Sequence, residues 1–137
     1  MSTPTPLGYL DTNLFVHALY PNDPHYPRCR ALLAALAAGT ATGWLDVVVV
    51  YELTFILARR RRFPDRLAIE RYLRGILAAP GVQVDDRATL LAALSRWATR
   101  GVGFADARLL ARAQATGLPL CSVNERDFDG VPNTFRA

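Results

Sequence analysis

Short apolar segments alternate with longer, helix-length segments along the chain. The short segments have the length of buried strands, and they are LGYL at 7–10, TATGW at 40–44, VQV at 82–84 and LPLCSV at 118–123. Strands that alternate with helices usually pair in parallel, because each crossover returns the chain to the same end of the sheet. The sequence therefore predicts an α/β fold, a three-layer α/β/α sandwich with a central parallel sheet of four to five short strands.

Caps and stop signals bound the predicted helices. Gly39 and Gly117 each end an alanine- and leucine-rich segment, as a glycine at a helix C-terminus does. The run VVVVYELTFIL begins with four valines that favour a strand, but its length and charged end favour a buried helix capped by Asp46. The predicted helices run from Asp11 towards Tyr20, over 28–38, from Asp46 through 62, over 65–79, through 89–98 and over 103–117.

The length of the chain and its apolar runs limit the class of protein. A chain of 137 residues has the usual size of one domain, so we expect a single domain over 1–137. Apolar runs stay below the roughly 20 residues that a membrane helix needs, and the start MSTPTP lacks the pattern of a signal peptide. We therefore expect a soluble, cytoplasmic protein with no membrane partner.

All of the basic side chains are arginine. There are 16 of them, and the formal net charge of +4 suits a polyanionic partner such as nucleic acid. The absence of lysine excludes a P-loop NTPase, which needs GxxxxGK, and it excludes enzymes that use a lysine Schiff base. The run Arg59–Arg62 is a candidate contact for an RNA backbone, although a basic helix end also complements the helix dipole and solvates a surface.

Three acids lie next to or within apolar segments, where a carboxylate is unusual. Asp11 follows the first predicted strand, at the edge of a parallel sheet where ligands bind, although it could also cap a helix. Glu52 lies within an apolar helix and is expected to point inward with its apolar neighbours. Asp106 leads a stripe formed by Leu109, Leu110 and Ala113, although an acid in the first turn also complements the helix dipole.

These acids are expected to converge at one edge of the sheet, together with polar residues of the loop that follows 118–123. Two carboxylates about 4 Å apart repel by roughly 4 kcal/mol at an effective dielectric constant of about 20, so such a cluster needs a cation. Carboxylate oxygens without a histidine or cysteine set favour Mg²⁺, or Mn²⁺, over zinc.

Four segments together resemble a known family. They are YLDTN at 9–13, YEL at 51–53, GFADARLLARA at 103–113 and LPLCSVNERDFDGVPN at 118–133. In this order and at this length, the chain resembles the PIN domain, in particular the VapC-type toxins of prokaryotic toxin–antitoxin pairs. The resemblance implies a parallel sheet between helices and Mg²⁺-dependent cleavage of RNA.

The resemblance also assigns residues. Asp11, Glu52 and Asp106 match the three core acids of the family, and Thr12 matches the hydroxyl residue beside the first. The family often has Thr-x-Asp after the last core strand, whereas this chain has Ser122-Val123-Asn124, so an amide stands where an acid is usual. Asp127 is the nearest replacement, with Asn124 as a neutral ligand or a water-mediated contact.

A mechanism and partners follow from the same resemblance. Asp11 and Asp106 would hold Mg²⁺, which lowers the pKa of a water, while Glu52 and Asp127 would orient that water or complete a second metal site. The expected partners are the RNA substrate, a second copy of the chain in a homodimer, and a VapB-like antitoxin whose tail covers the acids.

Two alternatives compete with the nuclease. The amide at Asn124 suggests a non-catalytic PIN-like module that binds RNA or a protein. A phosphohydrolase of the haloacid dehalogenase type also places an aspartate after its first strand, but its chemistry requires DxD, and here Thr12 and Asn13 follow Asp11.

Overall fold

The computed structural model describes residues 2–124, 126, 128 and 130–136, the last of these without the Arg136 side chain. The chain divides into two compact units, one that ends at Asp85 and one that begins at Asp86. Each unit has its own set of secondary-structure elements, and the first contains the β-sheet. The prediction of a single domain over 1–137 stays a prediction.

The first unit is a parallel sheet with helices packed beside it. The strands are β1 (Thr5–Tyr9), β2 (Ala41–Trp44) and β3 (Val82–Gln83), and the order in the sheet is β1-β2-β3. The helices are α1 (Thr12–His17), α2 (Tyr26–Ala38), α3 (Val47–Arg59) and α4 (Arg66–Ala78). Both strand pairs are parallel, which confirms the predicted α/β fold. Among the described residues, the sheet has three strands rather than four to five.

The three strands end at the same level. Tyr9 lies opposite Trp44, and Trp44 lies opposite Gln83. Backbone hydrogen bonds continue one residue further, from the Leu10 N–H to the Trp44 carbonyl (2.9 Å) and from the Leu45 N–H to the Gln83 carbonyl (2.8 Å). The carboxyl ends of the strands therefore form one edge, where the chain turns into α1 and α3.

Local signals set the helix ends, as the sequence predicts. The Asp46 carboxylate accepts a hydrogen bond from the Val48 N–H (2.9 Å), so α3 is a helix with the predicted cap despite its four valines. The Asp65 carboxylate caps α4 in the same way. Gly39 ends α2 in a left-handed conformation (φ 77°), which a glycine adopts without steric cost. Within the described part of the chain, we find no helix long and apolar enough to cross a membrane.

The second unit is built on two helices. They are α5 (Arg87–Arg100) and α6 (Phe104–Thr116), and a short 3₁₀ helix follows at Thr134–Arg136. Asp86 starts α5 and links it to α6, because its carboxylate accepts hydrogen bonds from the Thr89 N–H and from Arg112 Nη1 (2.6 Å). Hydrogen bonds from Thr89 and Arg112 lower the pKa of Asp86.

The predicted strand at 118–123 is wrong. Only an isolated bridge, between Leu120 and Asn133, forms in this segment. The Asn133 side chain takes the place of a neighbouring strand, because its Oδ1 accepts from the Ser122 N–H (3.1 Å) and its Nδ2 donates to the Ser122 carbonyl (2.8 Å). Leu120 is buried against Leu110 and Phe128, so the segment contributes to an apolar core without joining a sheet.

The close approach at Gly81 provides a test of the packing in the first unit. A Cβ on Gly81 would lie 2.0 Å from the Ala41 carbonyl oxygen and 2.9 Å from that of Leu36. We expect Gly81→Ala to lower the free energy of unfolding by about 1–3 kcal/mol or more, because backbone atoms have little freedom to move away. Urea unfolding followed by circular dichroism measures the change.

Gly75 in α4 is the matched control, since a Cβ there meets no heavy atom within 4 Å. Gly75→Ala should raise the free energy of unfolding by roughly 0.5–1 kcal/mol, because alanine loses less backbone entropy in a helix. Equal stability of the two variants would contradict the observed approach of the backbone at Gly81.

Candidate functional site

Asp11 lies at the carboxyl edge of the sheet, as the sequence predicts. It follows Leu10, the residue after β1 whose N–H bonds to the Trp44 carbonyl, and it occupies the position before α1 with extended backbone angles (φ −86°, ψ 153°). Its carboxylate is exposed and accepts no capping hydrogen bond from the described backbone. The helix-cap explanation for this acid therefore does not account for its side chain.

Asp46 provides an internal comparison for Asp11. It follows Leu45, the residue after β2 whose N–H bonds to the Gln83 carbonyl, and its backbone angles are nearly the same (φ −80°, ψ 147°). The Asp46 carboxylate caps its helix, whereas the Asp11 carboxylate does not. At equivalent backbone positions, the Asp46 carboxylate therefore stabilises a helix, whereas the Asp11 carboxylate makes no such bond in the described structure and can bind a ligand.

Thr12 places a hydroxyl beside this carboxylate in the sequence. The residue is 4% exposed, and its Oγ1 is buried without a hydrogen-bond partner among the described residues. A buried hydroxyl without a partner costs about 1–3 kcal/mol, so such groups are rare unless a ligand or an ordered water satisfies them. Two residues that are adjacent in the sequence, Asp11 and Thr12, therefore follow the carboxyl end of β1 with side-chain oxygens that could bind a ligand. In the described structure, the Asp11 carboxylate caps no helix and the Thr12 hydroxyl has no hydrogen-bond partner.

Glu52 lies on α3, but the prediction that it points inward is wrong. The buried residues of α3 are Val50, Leu53, Thr54 and Leu57, while Glu52 is exposed on a face with Val48 and Phe55. The helix is apolar nearly all round, so the spacing of apolar residues cannot select the side that packs against the core. The assignment of Glu52 as a site residue stays a prediction, and it now concerns an exposed carboxylate.

Asp106 lies in the first turn of α6 and is partly buried. The predicted core stripe is confirmed at Leu110 and Ala113, which are buried, but Leu109 is half exposed. Ala107 takes a place in the core instead. The residue before the helix is Gly103, which has no side chain to cap it. An acid at this position complements the helix dipole and can also act as a ligand.

Asn124 belongs to the same unit as Asp106. Its backbone N–H donates to the Ser122 hydroxyl (2.9 Å), and the residue lines a cavity that also reaches Gly103, directly before α6. Asp127, the predicted fourth acid, lies outside the described residues, as do Glu125 and Asp129. Asp11 and Glu52 are in the first unit, and Asp106 and Asn124 are in the second.

The candidate ligands offer the oxygen atoms that a hard cation prefers. Asp11 and Asp106 offer carboxylate oxygens, and Thr12 offers a buried hydroxyl without a partner in the described structure, which are the ligand types that Mg²⁺ and Mn²⁺ prefer. Over residues 2–124, 126, 128 and 130–136, no group of three or more histidine, cysteine or acidic side chains lies close enough to hold a metal ion. The chemistry of the donors therefore fits such a cation, and their assembly into one site stays a prediction.

The arginine run 59–62 is mostly occupied by contacts within the protein. The Arg59 guanidinium stacks over the Phe55 ring (5.1 Å), and that of Arg60 over the Tyr20 ring (5.6 Å). Arg62 Nε donates to the Leu19 carbonyl (3.2 Å). These contacts favour the interpretation of the run as a packed and solvated helix end rather than as a free surface for RNA.

Comparison with models of protein families identifies the family of the chain. The model of the PIN domain matches residues 8–133. The chain belongs to the PIN domain family. PIN domains generally have a nuclease-type fold, and they typically use divalent metals. The matched segment of this PIN domain contains every candidate site residue from Asp11 to Asp127. Among curated proteins, none matches the chain significantly.

The unused hydroxyl of Thr12 leads to a prediction for the metal-free protein. Thr12→Val keeps the shape of the side chain and removes the buried oxygen. Because that oxygen has no described partner, we expect the free energy of unfolding to stay unchanged or to rise by about 1 kcal/mol. Urea unfolding in the presence of EDTA measures it.

Thr54→Val is the matched control. Thr54 is equally buried, but its hydroxyl donates to the Tyr51 carbonyl (2.7 Å). Its replacement should cost roughly 0.5–1.5 kcal/mol. If Thr12→Val costs as much as Thr54→Val, the hydroxyl of Thr12 has a stabilising partner and the interpretation of the site is wrong.

Proposed function

We propose that this PIN domain is a Mg²⁺-dependent endoribonuclease of the VapC type, the toxin of a cytoplasmic toxin–antitoxin pair. The observation that carries the proposal is the state of Asp11 within a chain of this family. The carboxylate stands at the carboxyl edge of the sheet and caps no helix in the described structure, and Thr12 beside it has a buried, unused hydroxyl.

The proposed roles divide between binding the cation and handling water. Asp11 and Asp106 would hold Mg²⁺, with Thr12 and Asn124 as supporting residues. Bound Mg²⁺ supplies Lewis-acid activation of the phosphodiester and lowers the pKa of a water. Glu52 is exposed and would orient the attacking water as an acceptor, together with Asp127.

Substitution of the acids tests the enzyme. Asp11→Asn and Asp106→Asn each keep the size of the side chain and remove a negative oxygen ligand. We expect Mg²⁺-dependent cleavage of RNA to fall by more than the roughly 10–100-fold that loss of an outer-shell partner costs a metal site. Cleavage of a labelled RNA with Mg²⁺ or with EDTA, and calorimetric titration with Mn²⁺, measure activity and binding separately.

Asp85→Asn is the control, because Asp85 is exposed and no function is assigned to it. It should leave both cleavage and Mn²⁺ binding unchanged. Full activity of the purified Asp106→Asn protein would reject the assignment.

The amide at Asn124 supports a second candidate function, a non-catalytic module that binds RNA or a protein. The same titration distinguishes the two, because the binding module would neither bind Mn²⁺ nor cleave RNA with the wild-type acids in place.

We propose a second copy of the chain and an antitoxin as partners. An exposed apolar face of α3 supports the homodimer: Val48 is 59% exposed, Tyr51 47% and Phe55 57%, at spacings of three and four residues. Apolar side chains grouped in this way on a soluble domain commonly mark an interface. The Asp11 carboxylate makes no capping hydrogen bond in the described structure, which supports an antitoxin tail that covers it with a cationic group.

The dimer proposal predicts a difference between two exposed apolar side chains. Phe55→Ser should shift the protein towards the monomer in sedimentation equilibrium, because it removes apolar area from the proposed interface. Leu67→Ser, at an exposed position of α4 (47%), should leave the association constant unchanged. A wild-type protein that stays monomeric at micromolar concentration would exclude the homodimer.

A further inference from the structure

An arginine-lined cavity lies in the second unit. Its volume is about 530 Å³, within the range of ligand pockets, and three arginines line it: Arg96, Arg100 and Arg126. The other lining residues are Gly101, Val102, Gly103 and Asn124. Every one of these residues belongs to the second unit. The cavity therefore brings together cationic side chains from α5 and from the loop after residue 123.

The local structure explains why these side chains meet. Arg96 and Arg100 are four residues apart in the last part of α5, so they project from one face of the helix. Gly101 then ends α5 in a left-handed conformation (φ 69°), and the chain turns through Gly103 into α6. Arg126 comes from a separate segment and completes the lining.

The three guanidinium groups have no anionic partner among the described residues, unlike some other arginines of the chain. None of them forms an ion pair or a hydrogen bond with another described residue. By contrast, Arg112 pairs with Asp86 (2.6 Å) and Arg74 with Glu70 (3.4 Å). Like charges gathered without a counter-charge repel one another, so the described lining of the cavity favours an anion. Guanidinium groups bind phosphate through two parallel hydrogen bonds, which a phosphodiester accepts well.

The neighbouring surface favours a chain of phosphates over a single ion. Arg96 and Arg100 also line a second cavity of about 290 Å³, together with the polar residues Ser95, Thr99 and Gln114. Two adjacent polar cavities that share two arginines suit a ligand with repeated negative charges. The first turn of α6 adds backbone N–H groups beside Gly103, which has no side chain to cap them.

We propose that Arg96, Arg100 and Arg126 bind the phosphate backbone of the single-stranded RNA substrate. The choice of RNA rests on the proposed function. Gly103 lines the cavity directly before α6, and Asp106, a proposed cation ligand, lies three residues after it in the first turn of that helix. The arginines position the RNA strand, and they take no part in the chemical step.

The test measures RNA binding by the full chain without cleavage. Fluorescence anisotropy of a labelled single-stranded RNA is recorded in EDTA over a range of salt concentrations. Each phosphate contact on a single strand contributes about 0.7 to the slope of log K against log salt. Arg96→Gln with Arg100→Gln should therefore lower the slope by about 1.4 and weaken binding about tenfold or more at low salt, and Arg126→Gln alone should lower it by about 0.7.

Arg28→Gln with Arg71→Gln is the matched control. Both residues are exposed in the first unit, and the double variant loses the same two charges from the formal net charge of +4. Its slope should match that of the wild type. Arg96→Lys with Arg100→Lys keeps the charge, so it should retain the slope and lose only the affinity that depends on paired hydrogen bonds. Circular dichroism verifies that each variant is folded, and Arg126→Gln tests the cluster independently of α5.

Three outcomes would overturn the proposal. They are an unchanged slope in the folded Arg96 and Arg100 variant, an equal loss in the control, and saturable binding of inorganic phosphate that the variant loses while its RNA affinity stays intact. A failure of the proposed nuclease function gives a different result from a failure of the arginine site. If the wild type cleaves no RNA while the slope still falls only in the cluster variants, the nuclease proposal is wrong and the binding site stands.

Discussion

The central strand of the first unit depends on a close approach of backbones. Gly81 accepts a hydrogen bond from the Gly43 N–H (2.9 Å) and donates one to the Leu36 carbonyl (2.9 Å), with the Ala41 carbonyl so near that a Cβ has no space. This contact holds β2 and β3 in register and fixes α2 against them. Together with the pairing of β1 with β2, that register sets the common level of the strand ends and the position of Asp11 where the chain leaves the sheet.

Two acids at this edge of the sheet, Asp11 and Asp46, differ in how much they stabilise the helix that follows each of them. Asp46 caps α3, a bond that contributes about 1 kcal/mol, while Asp11 at an equivalent backbone position contributes no such bond in the described structure. The buried hydroxyl of Thr12 adds a further local cost. Folded proteins depart from the local rules mainly at functional sites, so these two adjacent departures carry more weight than the presence of an acid alone.

The arginines show a similar division of roles. The run at 59–62 draws attention in the sequence, yet three of its four side chains stack on rings or bond to the backbone. The cavity arginines are scattered in the sequence and converge only after α5 ends and the chain turns back. The predicted helix over 89–98 includes Arg96 but ends before Arg100, so only the longer observed helix places both on one face. The contribution of Arg126 had no signal in the sequence.

The sequence by itself determined the order of helices and strands up to residue 117 and the family. Caps such as Asp46 and stops such as Gly39 act within a few residues, and short-range signals of this kind can be read without the fold. Only the tertiary structure decided which face of α3 is buried, because that helix is apolar nearly all round and packing alone selects Leu53 and Leu57 over Glu52. It also decided that 118–123 is no sheet strand, since the Asn133 amide, eleven residues from Ser122, satisfies the backbone that a neighbouring strand would have paired.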